Sequence, residues 1–347
     1  MSMSRLVFAP YDPTRDEEVR LLFKEYPHKD YQLRTMDVCK DRMADYLERT
    51  LRAPGVQSIC LRDNGRLVGL VALQSLPWMS DHFGMKMYAV SHLLAKSDGP
   101  LVRARLLRYV IEELRDVDFL DCRIAVDDVF AAQALETCGF RYVGTEVYLG
   151  QKLGMYEHPP PLSGLEMRNC EKADRRQVLE IVEATHVHNR FVYDPLIDAE
   201  SARSLYRRLV QNLFENDQFR VTVARSRGAV EGFIISKINT AFADVVGVKS
   251  GSLDLIGVRP ETRNRGLGAQ LNRIALSEMV REGVQFAAVR TLASNYPALR
   301  ITARTGFSVT STSLHFHRWI KRPKAARDPA VVVPKNVVNL TGRGRDW

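Results

Sequence analysis

The segment LDLIGVRPETRNRGLGAQL (Leu253–Leu271) changes character halfway along its length. It opens as an apolar, strand-like run, passes through a turn that contains Arg263, Gly266 and Gly268, and continues as a helical pattern. A turn at a helix N-terminus presents free backbone N–H groups, and the helix dipole adds positive potential. Because the two glycines lack β-carbons and the flanking side chains are basic, the turn is suited to a diphosphate or a similar anion.

The spacing of these glycines excludes two common nucleotide-binding loops. A Rossmann fingerprint needs GxGxxG after the first strand of a βαβ unit, and a Walker A loop needs GK[ST]. The turn at Arg263 fits neither pattern. A glycine turn that binds nothing is the alternative that this motif leaves open when taken alone.

An internal repeat organises the chain. DDVFAAQALETCGFRYVGT (Asp127–Thr145) resembles SNYPALRITARTGFSVTST (Ser294–Thr312) at a constant offset of 167 residues. The offset pairs Asp128 with Asn295 as helix caps and sets the hexad KSDGPL opposite RNRGLG. The sequence therefore predicts two copies of one fold, in which strands and helices alternate around a mixed sheet of the α/β or α+β class.

The repeat and the composition between its copies predict four regions of the chain. They are a first domain, a linker rich in Pro and Gly, a second domain and a basic tail, at residues 1–155, 156–164, 165–320 and 321–347. Residues 1–150 contain 20 Lys and Arg and 22 Asp and Glu. The corresponding numbers are 23 and 17 in residues 151–320, and 7 and 2 in the tail. The positive charge of the second half and the tail would suit an anionic ligand or a nucleic acid, and a solvated surface without a partner is the alternative.

Cysteine spacing and hydropathy exclude several classes of protein. The five cysteines form no CxxC pair and are odd in number, which argues against a metal site and against a disulfide framework. The sequence has no apolar run of about 18 residues, the length that a membrane span needs. The first residues lack the layout of a secretory signal. We expect a cytoplasmic protein with reduced thiols, no bound metal and no membrane partner.

The glycine turn and its surroundings resemble motif A of the GCN5-related N-acetyltransferase (GNAT) superfamily, a strand followed by (Q/R)xxGx(G/A) and a helix. The second motif of that family, Asn-x-x-Ala leading to Gly-Phe, matches Asn295, Ala298, Gly306 and Phe307. The resemblance covers residues 165–320 and implies acetyl-CoA or another acyl-CoA as co-substrate. The cofactor-binding residues that it implies are Ile256, Val258, Arg263, Asn264, Arg265, Gly266, Leu267, Gly268 and Asn295, with pantetheine on the strand and the diphosphate on the turn.

The first half looks like the same family in degenerate form. Its hexad keeps Gly99, but Lys96 replaces the arginine and Leu101 stands where the second glycine would be. We therefore expect no CoA site in the first half, and we predict that it has a structural role or forms one wall of the acceptor site.

The catalytic groups are less clearly marked than the turn. Acyl transfer from a thioester to an amine needs a neutral amine and a leaving thiolate. The family usually places a tyrosine acid seven residues after the motif asparagine, and here that position is Thr302, a far weaker acid. Asp254, on the strand before the turn, is the candidate base, and an ion-paired carboxylate at a strand edge is the alternative.

Histidines supply further candidates. His186 and His188 follow the first predicted helix of the second half and could relay a proton or contact a substrate, whereas ordinary polar surface is the alternative. SLHFHRW alternates like a strand, so His315 and His317 share one face, either inside the sheet or in a cleft.

A narrower resemblance concerns the acceptor. HNRFVYDPLIDAESARSLYRRLV (188–210) and PWMSDHFGMKM (77–87) are similar to segments of the dTDP-fucosamine acetyltransferase group. The likeness implies a small amine acceptor, such as a nucleotide-activated amino sugar or a natural-product intermediate. It implies that Arg190, Tyr193 and Asp194 bind this acceptor between the two halves.

The predicted function is transfer of an acetyl or other acyl group from acyl-CoA to the amine of a small polar molecule. One alternative keeps the fold but takes the acyl group from aminoacyl-tRNA, which the basic charge and Thr302 motivate. Another is a CoA-binding protein without catalytic activity. No sequence feature specifies the oligomeric state.

Overall fold

The computed structural model describes residues 6–29, 34–96, 99–154, 164–186 and 189–321. Within these ranges the first half contains β1 (Leu6–Pro10), α1 (Asp16–Glu25), α2 (Lys40–Thr50), β2 (Val56–Asp63), β3 (Arg66–Ser75), α3 (Pro77–Phe83), β4 (Met87–Ala95), α4 (Leu101–Glu113), β5 (Phe119–Ala125), α5 (Val129–Thr137) and β6 (Arg141–Lys152). The second half contains β7 (Glu166–Asn169), α6 (Arg175–Thr185), α7 (Ala199–Leu213), β8 (Phe219–Ser226), β9 (Ala229–Asn239), α8 (Thr240–Val246), β10 (Ser250–Val258), α9 (Leu267–Arg281), β11 (Phe286–Leu292), α10 (Tyr296–Arg304) and β12 (Ser308–Trp319). The predicted linker, apart from Gly164, and the tail beyond Lys321 lie outside the described residues.

The element order confirms the internal repeat. β5, α5 and β6 each lie 167 residues before β11, α10 and β12. The predicted caps are also present, since Asp128 accepts a hydrogen bond from the Ala131 N–H and Asn295 accepts one from the Ala298 N–H. The short polar caps fix the start of α5 and α10 because they satisfy an N–H group that the helix leaves unpaired.

Both halves share one sheet, and each gives its last strand to the other. The strand order is β1-β2-β3-β4-β5-β12-β6-β11-β10-β9-β8-β7. β12 of the second half pairs with β5 of the first, and β6 of the first half pairs with β11 of the second, in both cases antiparallel. The predicted domain boundary therefore falls between β6 and β7 in sequence, whereas the sheet continues across the two halves.

Each half has one place where parallel neighbours part. Ser250–Leu253 of β10 pair with Phe286–Val289 of β11. We call the space between the two strands beyond these residues the second-half gap. At the same level, β10 has a register shift against β9 between Leu253 and Leu255, so Asp254 lies in a bulge. Bulges re-aim side chains and often border functional sites.

The first half repeats this geometry. β4 pairs with β5 only from Met87 to Val90. We call the space between the two strands beyond these residues the first-half gap. The register of β4 against β3 shifts between His92 and Val90, so Ser91 takes the bulge position. The two gaps are therefore built on the same frame.

Helices cover both faces of the sheet. Separate apolar cores lie under α4 and α5, under α1 and α2, under α9 and α10, and under α6 and α7. A fifth cluster joins the halves, because Phe191 and Leu205 of the second half pack with Met87 and Phe119 of the first. No helix in the described ranges combines the length and the apolar character needed to cross a membrane.

Candidate active site

The glycine turn lies between β10 and α9, as the sequence predicts. Gly266 caps α9 with φ 81°, and Asn264 is also in the left-handed region with φ 63°. Residues from Arg263 to Gly266 are exposed, and Arg263 folds back so that its Nε donates to the Val258 carbonyl at 3.4 Å. Alternating left-handed residues before a helix turn successive N–H groups toward one point, which makes an anion-binding concavity.

The two glycines of the turn have different structural roles. A β-carbon on Gly266 would meet no atom within 4 Å, so this position is open to a ligand. A β-carbon on Gly268 would lie 2.9 Å from Cδ1 of Ile301, so Gly268 allows α9 to pack closely on α10. Leu267, between them, is buried and anchors the helix in the core.

The strand that leads to the turn has a free edge. Beyond Leu253, the described residues pair β10 with β9 alone, through Ile256 opposite Ile234 and Val258 opposite Gly232. The edge that faces the second-half gap can therefore hydrogen-bond an extended, amide-containing chain in the manner of an added strand.

Asp254 stands at the mouth of this gap. Asp254 is exposed to solvent. Neighbouring protein atoms nevertheless displace part of the water around its carboxyl group, and this desolvation raises its pKa above the ordinary value. A hydrogen bond from Ser252 and the charge of Arg290 act in the opposite direction. A raised pKa suits a carboxyl group to act as a general base.

His186 borders the same gap from the end of α6. Its Nδ1 lies 2.7 Å from Oγ1 of Thr185, and its ring contacts Tyr206 edge-on at a centroid distance of 5.5 Å. Burial lowers the pKa of His186 to about 4, although the carbonyl of Ile256 acts in the opposite direction. The ring is thus neutral near pH 7. His188 lies outside the described residues.

Thr302 and Asn295 belong to α10 itself. The Thr302 hydroxyl donates to the carbonyl of Ala298 at 2.7 Å, and the residue is only 3 % exposed. Because this hydroxyl is buried and bonded to a backbone carbonyl, the structure does not favour Thr302 as the catalytic acid. The carbonyl of the Asn295 side chain caps the helix, and its amide donates to Thr291 at 3.0 Å.

The acceptor residues implied by the sequence lie at the seam between the halves. Arg190 pairs with Asp121 of β5. Burial works against the charge of Asp121, but Arg190 and His317 outweigh it and lower its pKa to about 2. Tyr193 is exposed.

Asp194 is a structural member of this seam. It is buried, accepts a hydrogen bond from the Trp319 indole at 3.1 Å and lies 2.8 Å from Nδ1 of His317. Its oxygens are therefore engaged with side chains of β12, and it does not present a free carboxylate to a ligand. His315 and His317 share a face, as predicted, and both are buried.

The sequence analysis missed a second group of polar residues beside Asp254. Glu146 lies on β6, 3.0 Å from Nε2 of His315 on β12 and 3.6 Å from Nε of Arg290 on β11. Burial disfavours the carboxylate, but the hydrogen bond with His315 and the charge of Arg290 lower the pKa of Glu146 to about 2. Only the exchange of β6 and β12 brings these strands together, and no local motif marks it.

Comparison with known proteins agrees with this architecture. Residues 182–307 match the acetyltransferase (GNAT) family. A GCN5-related N-acetyltransferase from Sphaerobacter thermophilus superposes with a TM-score of 0.62 at 15 % identity, over 93 % of this chain and 98 % of the other. A tandem GNAT protein from the clavulanic acid biosynthesis pathway gives a TM-score of 0.55 at 17 % identity, over 92 % and 100 %.

Two relatives by sequence are also similar. The spore coat polysaccharide biosynthesis protein SpsD of Bacillus subtilis is 23 % identical over 289 residues, which cover 82 % of this chain and 96 % of that protein. A mycothiol acetyltransferase of Streptomyces bingchenggensis is 28 % identical over 126 residues, which cover 36 % of this chain and 38 % of that protein.

Proposed function

We propose that this protein transfers an acyl group, most simply acetyl from acetyl-CoA, to the amine of a small polar molecule. The observation that carries the proposal is the second-half gap, whose free strand edge leads directly into the exposed glycine turn at α9. The described residues fit acyl-CoA because a strand edge and an anion-binding turn match its amide-containing arm and its diphosphate.

In this proposal each part of the turn has a role in binding. The N–H groups from Arg263 to Gly268 hold the diphosphate, and Arg263 and Arg265 add positive charge. Ile256 and Val258 hydrogen-bond the pantetheine arm through their backbone groups. Asn295 acts indirectly, because it fixes the start of α10, against which Gly268 packs.

Asp254 is the proposed general base. The acceptor amine arrives largely as an ammonium ion, and Asp254 takes its proton so that the nitrogen can attack the thioester carbon. A carbon–nitrogen bond forms, the carbon–sulfur bond breaks, the sulfur leaves as thiolate, and the remaining extra proton on the nitrogen passes to solvent to leave the amide. Backbone N–H groups of β10 on the gap side stabilise the developing negative charge on the carbonyl oxygen.

The leaving group needs no side-chain acid in this scheme. A free thiol has a pKa of about 8.5, so a thiolate leaves readily near neutral pH. The buried hydroxyl of Thr302 takes no part. His186, neutral beside the Ile256 carbonyl, orients the groups at the gap and does not store a proton.

The relatives favour a carbohydrate-like or natural-product acceptor. The name of SpsD refers to polysaccharide biosynthesis, and the Streptomyces relative is named for mycothiol. We propose a nucleotide-activated amino sugar, or an amine of similar polarity, bound near Arg190 and Tyr193 at the seam of the two halves.

Isothermal titration with acetyl-CoA tests the donor. We expect saturable binding to the wild-type protein, and its absence would contradict the acyl-CoA proposal. Release of free thiol in a single turnover with any amine would exclude the alternative of a CoA-binding protein without catalytic activity.

The aminoacyl-tRNA donor is the second candidate because a ribose hydroxyl leaves in that reaction and the buried Thr302 is not needed for it. The positive charge of residues 151–347 favours it as well. Retention of charged tRNA that falls steeply with salt would support this donor. Failure to retain tRNA at low salt would remove it.

A further inference from the structure

Two arginines at the seam share a single carboxylate. Nε of Arg290 lies 3.6 Å from one oxygen of Glu146, and Nη1 of Arg123 lies 3.8 Å from the other. Glu146 is 13 % exposed, whereas Arg290 and Arg123 keep 55 % and 45 % of their side-chain surface open to solvent. The carboxylate thus anchors two guanidinium groups and leaves their outer N–H groups accessible.

The register of the sheet fixes these arginines in place. Arg290 on β11 lies opposite Tyr148 on β6, and Arg123 on β5 lies opposite His315 on β12. The guanidinium of Arg123 also lies over the Tyr148 ring, 5.4 Å from its centroid. Four neighbouring strands, two from each half, therefore build the pair, and packed side chains on rigid strands hold a recognition group more accurately than a loop does.

The two arginines are more exposed than the carboxylate that holds them. Burial lowers the pKa of His315, so the ring that donates to the Glu146 carboxylate is neutral near pH 7 and adds no charge. Two guanidinium groups therefore share Glu146, Asp254 lies within the field of Arg290, and both guanidinium groups remain accessible to solvent. A planar fork of N–H donors is well matched to a phosphate or carboxylate group.

The pair lies next to the proposed site of reaction. Arg290 directly follows Val289, the last residue of β11 that pairs with β10, and its charge reaches Asp254. The glycine turn lies at the far end of Ile256–Val258, so the diphosphate of a bound acyl-CoA and this pair are at opposite ends of the gap.

We propose that Arg290 and Arg123, held by Glu146 and Tyr148, form a subsite for an anionic group that the acceptor carries in addition to its amine, either a phosphate or a carboxylate. The inference rests on the proposed acyl transfer and names the chemical class of its acceptor. It also assigns the first half a direct part in recognition, since it provides three of these four residues.

Calorimetric titration of pyrophosphate into the protein, with acetyl-CoA present in excess to cover the glycine turn, tests the subsite without any acceptor. We expect saturable binding that Arg290→Gln or Arg123→Gln weakens by about 10- to 100-fold, the usual loss for charge-assisted hydrogen bonds. Arg66→Gln, an exposed arginine on the β2–β3 hairpin, is the matched control and leaves the affinity unchanged. Equal affinity in the wild type and in Arg290→Gln, or no binding to the wild type, would overturn the subsite.

Acetyl transfer to a matched series of amines distinguishes the two anions. Glucosamine, glucosamine 6-phosphate and glucosaminuronic acid share a ring and differ only in the group at C6. We expect kcat/KM at least about tenfold higher for one anionic member than for glucosamine, and we expect Arg290→Gln to lower kcat/KM for that member more than for glucosamine, so that the preference disappears. An equal preference in Arg290→Gln and the wild type would contradict the assignment.

The two experiments fail in different ways. If acetyl-CoA does not bind, the proposed function fails, yet pyrophosphate affinity that depends on Arg290 still reports the subsite. If acetyl-CoA binds with unchanged affinity in Arg290→Gln and pyrophosphate does not discriminate, the subsite alone fails. Thermal unfolding of each variant, with Arg290→Lys as a charge-conserving partner, shows whether a loss reflects misfolding.

Discussion

The first-half and second-half gaps have the same backbone frame but different occupants. In the first half, the Tyr26 hydroxyl donates to the Leu93 carbonyl at 3.4 Å and contacts the Asp128 carboxylate. The ammonium of Lys29 donates to the carbonyl of Ser91, the bulge residue, at 2.8 Å. In the first half, the protein's own side chains thus hydrogen-bond the β4 carbonyl groups that a bound ligand would otherwise use.

At an offset of 163 residues, the counterparts of Ser91 and Leu93 are Asp254 and Ile256. The His186 ring bonds the Ile256 carbonyl much as Tyr26 contacts that of Leu93, whereas the bulge residue Asp254 is exposed. The difference therefore lies at the bulge and at the turn, and it supports the proposal that the second half alone binds acyl-CoA.

The turn before α4 in the first half is also occupied by side chains of the protein itself, whereas the glycine turn before α9 is exposed. Nη1 of Arg103 donates to the Gly99 carbonyl at 2.9 Å, and its Nη2 donates to the Tyr26 hydroxyl at 3.3 Å, so the first-half turn is tied to the filled gap. Leu101, 72 % exposed, occupies the position that Gly268 has in the second half. The four predictions below test this contrast, and the largest expected effect comes first.

Gly266→Glu should weaken acetyl-CoA binding by more than about 100-fold, because a carboxylate would stand where the diphosphate is proposed to bind. Its matched control is Gly99→Glu. Both glycines have positive φ, 81° and 122°, and open space at the β-carbon position, so the backbone strain of the substitution is common to both. Calorimetry should show unchanged affinity for Gly99→Glu, and equal losses in both variants would place a ligand in the first half as well.

Asp254→Asn should lower kcat/KM by about 100- to 1,000-fold, the usual contribution of a general base, while acetyl-CoA affinity stays. Ser91→Ala, at the equivalent bulge, should have no effect. Because burial raises the pKa of Asp254 above 3.8, the wild-type rate should rise with pH through a value higher than that, as the carboxyl group loses its proton. A pH–rate profile that is identical in Asp254→Asn would rule out this base.

Tyr26→Ala should destabilise the protein by about 3 kcal/mol, since it leaves a cavity where a buried aromatic ring packs. Urea unfolding measures this loss. Acetyl-CoA affinity should be unchanged, because the residue lies in the filled first-half gap. A second binding event in the titration of this variant would mean that Tyr26 blocks a site that is otherwise intact.

Glu146→Gln should lower the free energy of unfolding by about 1 to 3 kcal/mol near pH 7. Folding lowers the pKa of Glu146 from 4.5 to about 2, so its contribution is complete above pH 4.5 and disappears as the pH falls through 2. Unfolding of wild type and variant across this window should show the difference shrinking with acid. A difference that does not depend on pH would assign the effect to packing.

Local signals in the sequence were sufficient for much of the fold. The offset of 167 residues, the caps at Asp128 and Asn295, and the glycine turn each depend on residues that are close in sequence. The hairpin turn at Asn64-Gly65 belongs to the same group, with both residues at positive φ. Such features follow from backbone preferences that neighbouring residues alone determine.

The unpredicted part of the site depends on which strands become neighbours. Glu146 and Arg290 are 144 positions apart, and only the insertion of β6 beside β11 brings them together. The spacing from Asn295 makes Thr302 a candidate catalytic group, but its hydroxyl bonds the carbonyl of Ala298 in its own helix. Periodicity gives the face on which a residue lies, whereas strand order is decided by packing across the whole sheet.

The exchange of β6 and β12 also bears on why the first copy persists. A fragment that starts at β7 would leave the inner edge of β11 and both edges of β12 without their partners, and bare strand edges invite aggregation. The same fragment would lack the carboxylate that holds Arg290. Each copy completes the sheet of the other, which makes the two repeats a single folding unit.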